Sequence, residues 1–180
     1  MTTHAWTWQV EAPDAAATRA VGHALASVLG AGDLVVLTGP LGAGKTTLTQ
    51  GLGEGLGVRG PVASPTFIIA RVHPSTVSGP ALVHVDAYRL GSIDELDALD
   101  LDASLEDSVT VVEWGEGLVE VLAQDRLEVV LERPRGARPS GTDPDTTASD
   151  DAAGGDEPRT VTVRAVGAGW VGREPAQMAG

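Results

Sequence analysis

The sequence predicts an α/β fold, a single mostly parallel sheet covered by helices on both faces. Three observations predict it. Asp33 to Thr38 is a short, nearly continuous apolar run of the kind buried on both faces of a parallel sheet. Gly39-Pro40-Leu41-Gly42-Ala43-Gly44-Lys45-Thr46 follows at once and matches G-x-x-x-x-G-K-(S/T), the phosphate loop that joins a strand to a helix. Strand-like and helix-like segments then alternate along the chain, as they do in layered α/β domains. Together they specify a phosphate-loop NTPase fold.

Thr7 to Val10 reads as a short first strand. Pro13 to Leu29 reads as a helix, because Ala17, Val21, Ala24 and Val28 form a stripe at helical spacing and Gly30-Ala31-Gly32 ends it. After the Asp33–Thr38 strand and the loop, a second helix is expected from Lys45 to Leu56, burying Leu48, Leu52 and Leu56. Its interior carries Gly51, Gly53 and Gly55, each costing about 1 kcal/mol against alanine in a helix. Close packing or early fraying is the expected consequence. Further strands are expected at Thr66–Arg71, Ala81–Tyr88, Val109–Trp114, Arg126–Arg133 and Thr160–Val166, with short helices at Ile93–Leu101 and Gly117–Ala123.

The chain of 180 residues is expected to form one domain. Pro134 to Pro158 holds no apolar residue larger than alanine and is rich in Gly, Pro, Ser, Thr and Asp, so it reads as a disordered insertion between two paired strands. The tail over 173–180 is expected to fray. With no cysteine, disulfides, thiolate metal sites and cysteine nucleophiles are excluded. The N-terminus has no basic region followed by an apolar stretch, and no segment approaches a membrane span, which predicts a soluble, cytoplasmic protein.

Net charge is −13, from 12 basic against 25 acidic residues. A surface of that sign repels a phosphate backbone, so any nucleic acid is expected to be handled by a partner. Lys45 is the only lysine, standing where a phosphate would lie, while arginine supplies the other basic residues.

A phosphate loop works because successive backbone N–H groups point at phosphate oxygens while the following helix N-terminus adds positive potential. Gly39, Gly42 and Gly44 let the backbone come close, Lys45 reaches the β- and γ-phosphates, and the Thr46 hydroxyl is a ligand for Mg²⁺. The binding segment runs through Leu41 and Ala43 to Thr47. Such an enzyme also needs a strand-end acid and a residue that orients the attacking water. Leu82-Val83-His84-Val85-Asp86 ends in an aspartate, and Val109-Thr110-Val111-Val112-Glu113 ends in a glutamate. The two-residue period of a strand puts His84, Asp86 and Tyr88 on one face, with Val83, Val85 and Ala87 on the other.

The residues leave alternatives open. Asp86 could instead pair with Arg89 or cap its strand. A lone histidine such as His84 is more often a packed, hydrogen-bonded residue than a catalyst. Trp114 could stack on a purine or sit in the core. Ras-type guanine recognition uses N-K-x-D or T-K-x-D, which needs a second lysine, so ATP is preferred over GTP. A small-molecule kinase is the rival, weakened because its lid would offer only Arg135 and Arg138 to the transferring phosphoryl group.

Gly39 to Thr47, Ser64-Pro65-Thr66-Phe67, His84-Val85-Asp86-Ala87-Tyr88-Arg89-Leu90 and Glu113-Trp114-Gly115-Glu116 resemble, in order and spacing, the TsaE (YjeE) family. The resemblance spans Pro13 to Arg133. Its members are bacterial ATPases needed for threonylcarbamoyladenosine modification of tRNA. The resemblance implies that Thr46 and Glu113 hold Mg²⁺, that Asp86 is the catalytic or water-positioning carboxylate, that Thr66 senses the γ-phosphate and that Trp114 packs on the adenine. It implies TsaB and TsaD proteins as partners, with ATP hydrolysis resetting that complex and tRNA met only through it; a nucleotide-gated binding module is the alternative. Two departures stand out: Pro40 replaces an acidic residue common in the family's loop, and the 134–158 insertion is longer than usual.

Overall fold

The computed structural model describes residues 4–65, 70–89, 105–115, 117, 123–134 and 157–179. Its nine main elements are β1 (His4–Ala12), α1 (Ala15–Ala26), β2 (Leu34–Thr38), α2 (Lys45–Leu56), β3 (Ala70–His73), β4 (Ala81–Asp86), β5 (Ser108–Glu113), β6 (Arg126–Glu132) and β7 (Arg159–Val166). The strands form one sheet in the order β1-β7-β6-β2-β5-β4-β3. Parallel pairing holds the centre, where β6, β2, β5 and β4 run side by side. Antiparallel pairing of β7 with β6, β1 with β7 and β3 with β4 finishes both edges. The sheet is therefore mixed, and its parallel part is the part that carries the phosphate loop.

Side-chain alternation splits the sheet into two faces. Val35 and Leu37 of β2, Val109 and Val111 of β5 and Leu82 of β4 join α1 and α2 in one buried cluster. Leu34, Val36, Val83, Val85 and Val112 form a second cluster on the opposite face. Both described helices lie on the first face. The helices expected at Ile93–Leu101 and Gly117–Ala123, with their cover for the second face, lie outside the described residues apart from Gly117 and Ala123. So does most of the 134–158 insertion.

Asp14 caps α1 by accepting the Ala17 N–H at 2.7 Å through Oδ1, which starts the helix two residues later than the periodicity alone implies. Ser27 Oγ donates to the Ala24 carbonyl at 2.7 Å and the helix stops there, short of the glycines expected to end it. The glycines of α2 are explained by packing. A Cβ at Gly51 would stand 1.9 Å from the Arg19 carbonyl, and one at Gly22 of α1 would stand 2.1 Å from the Leu48 carbonyl. The two helices touch backbone to backbone, and α2 runs unbroken to Leu56.

Several strand ends differ from the sequence reading, β1 among them, which runs His4–Ala12 rather than Thr7–Val10. Strand β3, described over Ala70–His73, continues two residues past the expected end at Arg71, while 66–69 lie outside the described residues. Strand β4 stops at Asp86, and Ala87–Arg89 turn into a short 3-10 helix. Strand β5 stops at Glu113 because Trp114 takes the left-handed conformation with φ 59°. The segment expected to fray from Arg173 is docked: Arg173 donates to the Val28 carbonyl at 2.7 Å, pairs with Asp33 and stacks over Trp170, and Met178 packs on the main core.

Candidate functional site

The loop between β2 and α2 takes its shape from its glycines. Gly42 (φ 72°) and Gly44 (φ 101°) occupy left-handed backbone that other residues rarely adopt. Gly44 is the N-cap of α2 and has no side chain to cap with, while the first intrahelical bond runs from the Leu48 N–H to the Gly44 carbonyl at 2.9 Å. The N–H groups of Lys45, Thr46 and Thr47 thus have no helical acceptor, which gives the loop an anion-receiving end. Lys45 folds back along it, donating from Nζ to the Gly39 carbonyl at 2.7 Å and the Pro40 carbonyl at 3.1 Å. Ala43 is buried, whereas Leu41 is exposed at the tip.

Two carboxylates face this loop from neighbouring strands. Parallel pairing sets Asp86 opposite Glu113 in register, and both fall on the face of the sheet that α2 covers. Glu113 is buried and lies 2.8 Å by Oε1 from Nε2 of the fully buried His84. Nδ1 of His84 has no hydrogen-bond partner among the described residues, and a proton on Nε2 lets the ring donate to the Glu113 carboxylate. Asp86 is half-buried, and its Oδ1 accepts the Tyr88 N–H at 3.0 Å. The strand-end cap weighed from sequence therefore exists. Burial pushes the Lys45 ammonium below its ordinary range, while Glu113 and then Asp86 pull it back up.

Trp114 closes the arrangement. Its N–H donates to the Leu37 carbonyl at 3.2 Å, and its left-handed φ turns the ring back beside the loop. Lys45 Nζ stands 4.3 Å from the ring centroid, and the exposed Tyr88 meets the ring edge-on at 5.5 Å. Thr38 to Pro40, Trp114 and Val130 to Glu132 line a cleft of about 510 Å³ beside the loop. Trp114 is thus a half-buried wall of a cleft rather than a core residue.

Of the residues expected to act, the structure gathers Gly39 to Thr47, Asp86, Glu113 and Trp114 at one end of the parallel strands. Thr66 lies outside the described residues. Among the described residues no group of three or more His, Asp or Glu is placed to hold a metal; a divalent ion would draw on the Thr46 hydroxyl, a strand-end carboxylate and oxygens of a bound ligand. His84, read from the sequence as more often a packed, hydrogen-bonded residue than a catalyst, is buried and bonded to Glu113. Two residues were missed. Arg133 and Arg159, which donate to the Gly42 carbonyl at 2.7 and 3.5 Å, had no signal in spacing.

Residues 12–139 match the family model of the threonylcarbamoyl adenosine biosynthesis protein TsaE. The chain is 57% identical to the tRNA threonylcarbamoyladenosine biosynthesis protein TsaE of Streptomyces coelicolor, over 90% of this chain and 99% of that one. The chain belongs to the TsaE family. A second relative of the same description, from Mycobacterium tuberculosis, is 54% identical over 64% of this chain and 73% of its own. The crystal structure of YdiB from Bacillus subtilis superposes with a TM-score of 0.60 at 30% identity, covering 93% of this chain and 88% of that one. The TsaE-family chain has the phosphate-loop NTPase fold, and its family role is in tRNA threonylcarbamoyladenosine biosynthesis. No helix among the described residues is long and apolar enough to cross a membrane.

Proposed function

We propose that this TsaE-family chain is a Mg²⁺-dependent ATPase that serves threonylcarbamoyladenosine modification of tRNA, acting with TsaB and TsaD proteins in the cytoplasm. One observation carries the reading: the single lysine, inside a glycine-shaped loop at a helix N-terminus, is faced by two carboxylates in register at adjacent strand ends. Cation and carboxylates at one strand terminus are the parts that phosphoryl transfer needs.

In this reading the N–H groups of the loop and of Lys45, Thr46 and Thr47 bind phosphate oxygens, and the Lys45 ammonium bridges the β- and γ-phosphates. The residues present fit magnesium, a hard six-coordinate cation that draws few oxygen ligands from the protein and the rest from water and phosphate. Thr46 and Glu113 would hold it, and the ion would neutralise charge on the terminal phosphates. His84 fixes the Glu113 carboxylate from below. Asp86 orients the attacking water, Thr66 senses the γ-phosphate, and Trp114 packs on the adenine at the cleft wall. The acidic balance of the chain, −13 overall, agrees with tRNA being held by the partners.

The test is phosphate release from γ-labelled ATP by the chain with TsaB and TsaD proteins and Mg²⁺, with Lys45→Ala as the blank. Release above the blank, with label on water rather than on a metabolite, is expected. No excess over the blank would overturn the hydrolytic reading, and transfer to a metabolite would make the chain a kinase. Comparing tRNA modification over many turnovers with ATP and a non-hydrolysable analogue separates an ATPase cycle from a nucleotide gate; equal yields leave only the gate.

A further inference from the structure

The phosphate loop is gripped from outside by two arginines, one at each end of the β6–β7 connection. Arg133, just past β6, donates from Nη2 to the Gly42 carbonyl at 2.7 Å. Arg159, the first residue of β7, is 3% exposed and reaches the same carbonyl from Nη2 at 3.5 Å. Glu157 joins the two: its carbonyl accepts from Arg159 Nη1 at 3.0 Å, and its carboxylate stands 3.8 Å from Arg133 Nε. The fit against the loop is close. A Cβ on Gly42 would lie 2.7 Å from Arg133 Nη2, and one on Gly44 would lie 3.2 Å from Arg159 Nε. Burial and the nearby Arg133 lower the proton affinity of Arg159, and Glu157 raises it. A cation held under those conditions needs a structural reason.

We propose that Arg133, Glu157 and Arg159 form a clasp that holds the Gly42–Ala43 peptide in its phosphate-binding orientation, making them positioning residues for nucleotide affinity. A trans peptide points its C=O and N–H in opposite directions. Holding the Gly42 oxygen outside the loop therefore holds the Ala43 N–H inside it, where it now donates to the Pro40 carbonyl at 3.0 Å. A ligand oxygen entering the loop takes that N–H over from the Pro40 carbonyl without the peptide having to flip. Gly42, left-handed at φ 72° and without a Cβ, offers this peptide little rotational resistance from its side, so the orientation is held from elsewhere. The clasp also ties the two ends of the β6–β7 connection to the nucleotide loop.

The part of this that concerns affinity rests on the phosphate loop binding a nucleotide, and the experiment separates the two. Amide hydrogen exchange over Gly42–Lys45 in the nucleotide-free full chain reads the clasp alone. Arg133→Ala is expected to speed it about tenfold, as expected when a charge-assisted hydrogen bond is lost. Titration with MgATP reads affinity. Arg133→Ala is expected to raise Kd about tenfold at an unchanged Tm, with Arg133→Lys recovering part of the loss. Glu157→Gln separates geometry from charge, since a clasp predicts weaker binding and a bare electrostatic effect predicts tighter binding. Unchanged exchange in Arg133→Ala, or tighter binding by Glu157→Gln, overturns the proposal. Arg133 is over a third exposed, so these variants test it without removing the buried Arg159.

Discussion

His84 Nε2 lies 2.8 Å from Glu113 Oε1, a buried contact between neighbouring parallel strands. The strand that presents Asp86 to the loop thus also holds the carboxylate beside it. An ionised Glu113 without that donor would be a buried acid with one oxygen unsatisfied.

His84→Ala is therefore expected to lose about 1–3 kcal/mol of stability, the cost of leaving a buried acceptor unpaired. Urea unfolding at neutral pH measures it, with the slope unchanged. The same variant should need more Mg²⁺ to reach half-maximal nucleotide binding, because the carboxylate is no longer oriented. A wild-type midpoint in both experiments would mean that the contact orients nothing.

Lys45→Ala should abolish nucleotide binding while the chain stays folded. The wild-type pH dependence carries more detail. Burial lowers the Lys45 pKa from 10.5, against the pull of Glu113 and Asp86. Between the folded value and 10.5 the unfolded chain holds more protons, so the stability contribution of this group rises with pH across that window. Nucleotide affinity runs the other way and falls as the ammonium deprotonates. Kd measured up to pH 10 should climb in the wild type and stay flat, though weaker, in Lys45→Arg, whose charge does not titrate there.

Gly51→Ala should destabilise the chain although alanine is the better helix former by about 1 kcal/mol. The added methyl would meet the Arg19 carbonyl at 1.9 Å, and a backbone atom cannot step aside as a flexible side chain can. A net loss of roughly 1–3 kcal/mol follows from overpacking. An increase in Tm would show that the two helices separate easily.

That glycine also shows where sequence reading stops. Leu48, Leu52 and Leu56 announced the buried stripe of α2 through their spacing, and burial bears them out. The cost of Gly51 was equally visible, but its reason lay in α1, 32 residues earlier at Arg19. Strands buried on both faces read clearly because their apolar runs are continuous. The edge strand β3 read poorly because Arg71 and Val72 are exposed and leave little pattern. At the site, the loop and the paired strand-end acids are local in sequence and were legible. Arg159 was not, since it meets Gly42 from 117 residues away and only the pairing of β7 with β6 brings it there.

Asp86→Ala should bind ATP and fail to turn it over. Asp86 is half-buried, sits in register with Glu113 and uses one oxygen to accept the Tyr88 N–H. Losing the cap loosens the turn over Ala87–Arg89, so a drop in stability of about 1 kcal/mol is expected whatever the catalytic role. The two effects separate in a single-turnover experiment with partner proteins. If the residue only caps, Asp86→Asn keeps the acceptor and restores hydrolysis along with stability. If it orients the attacking water as a carboxylate, Asp86→Asn restores stability while hydrolysis stays at least about a hundredfold down, the lower bound of a positioned acid–base group. Full activity in Asp86→Asn would move the catalytic assignment away from this residue and leave it as the cap of β4.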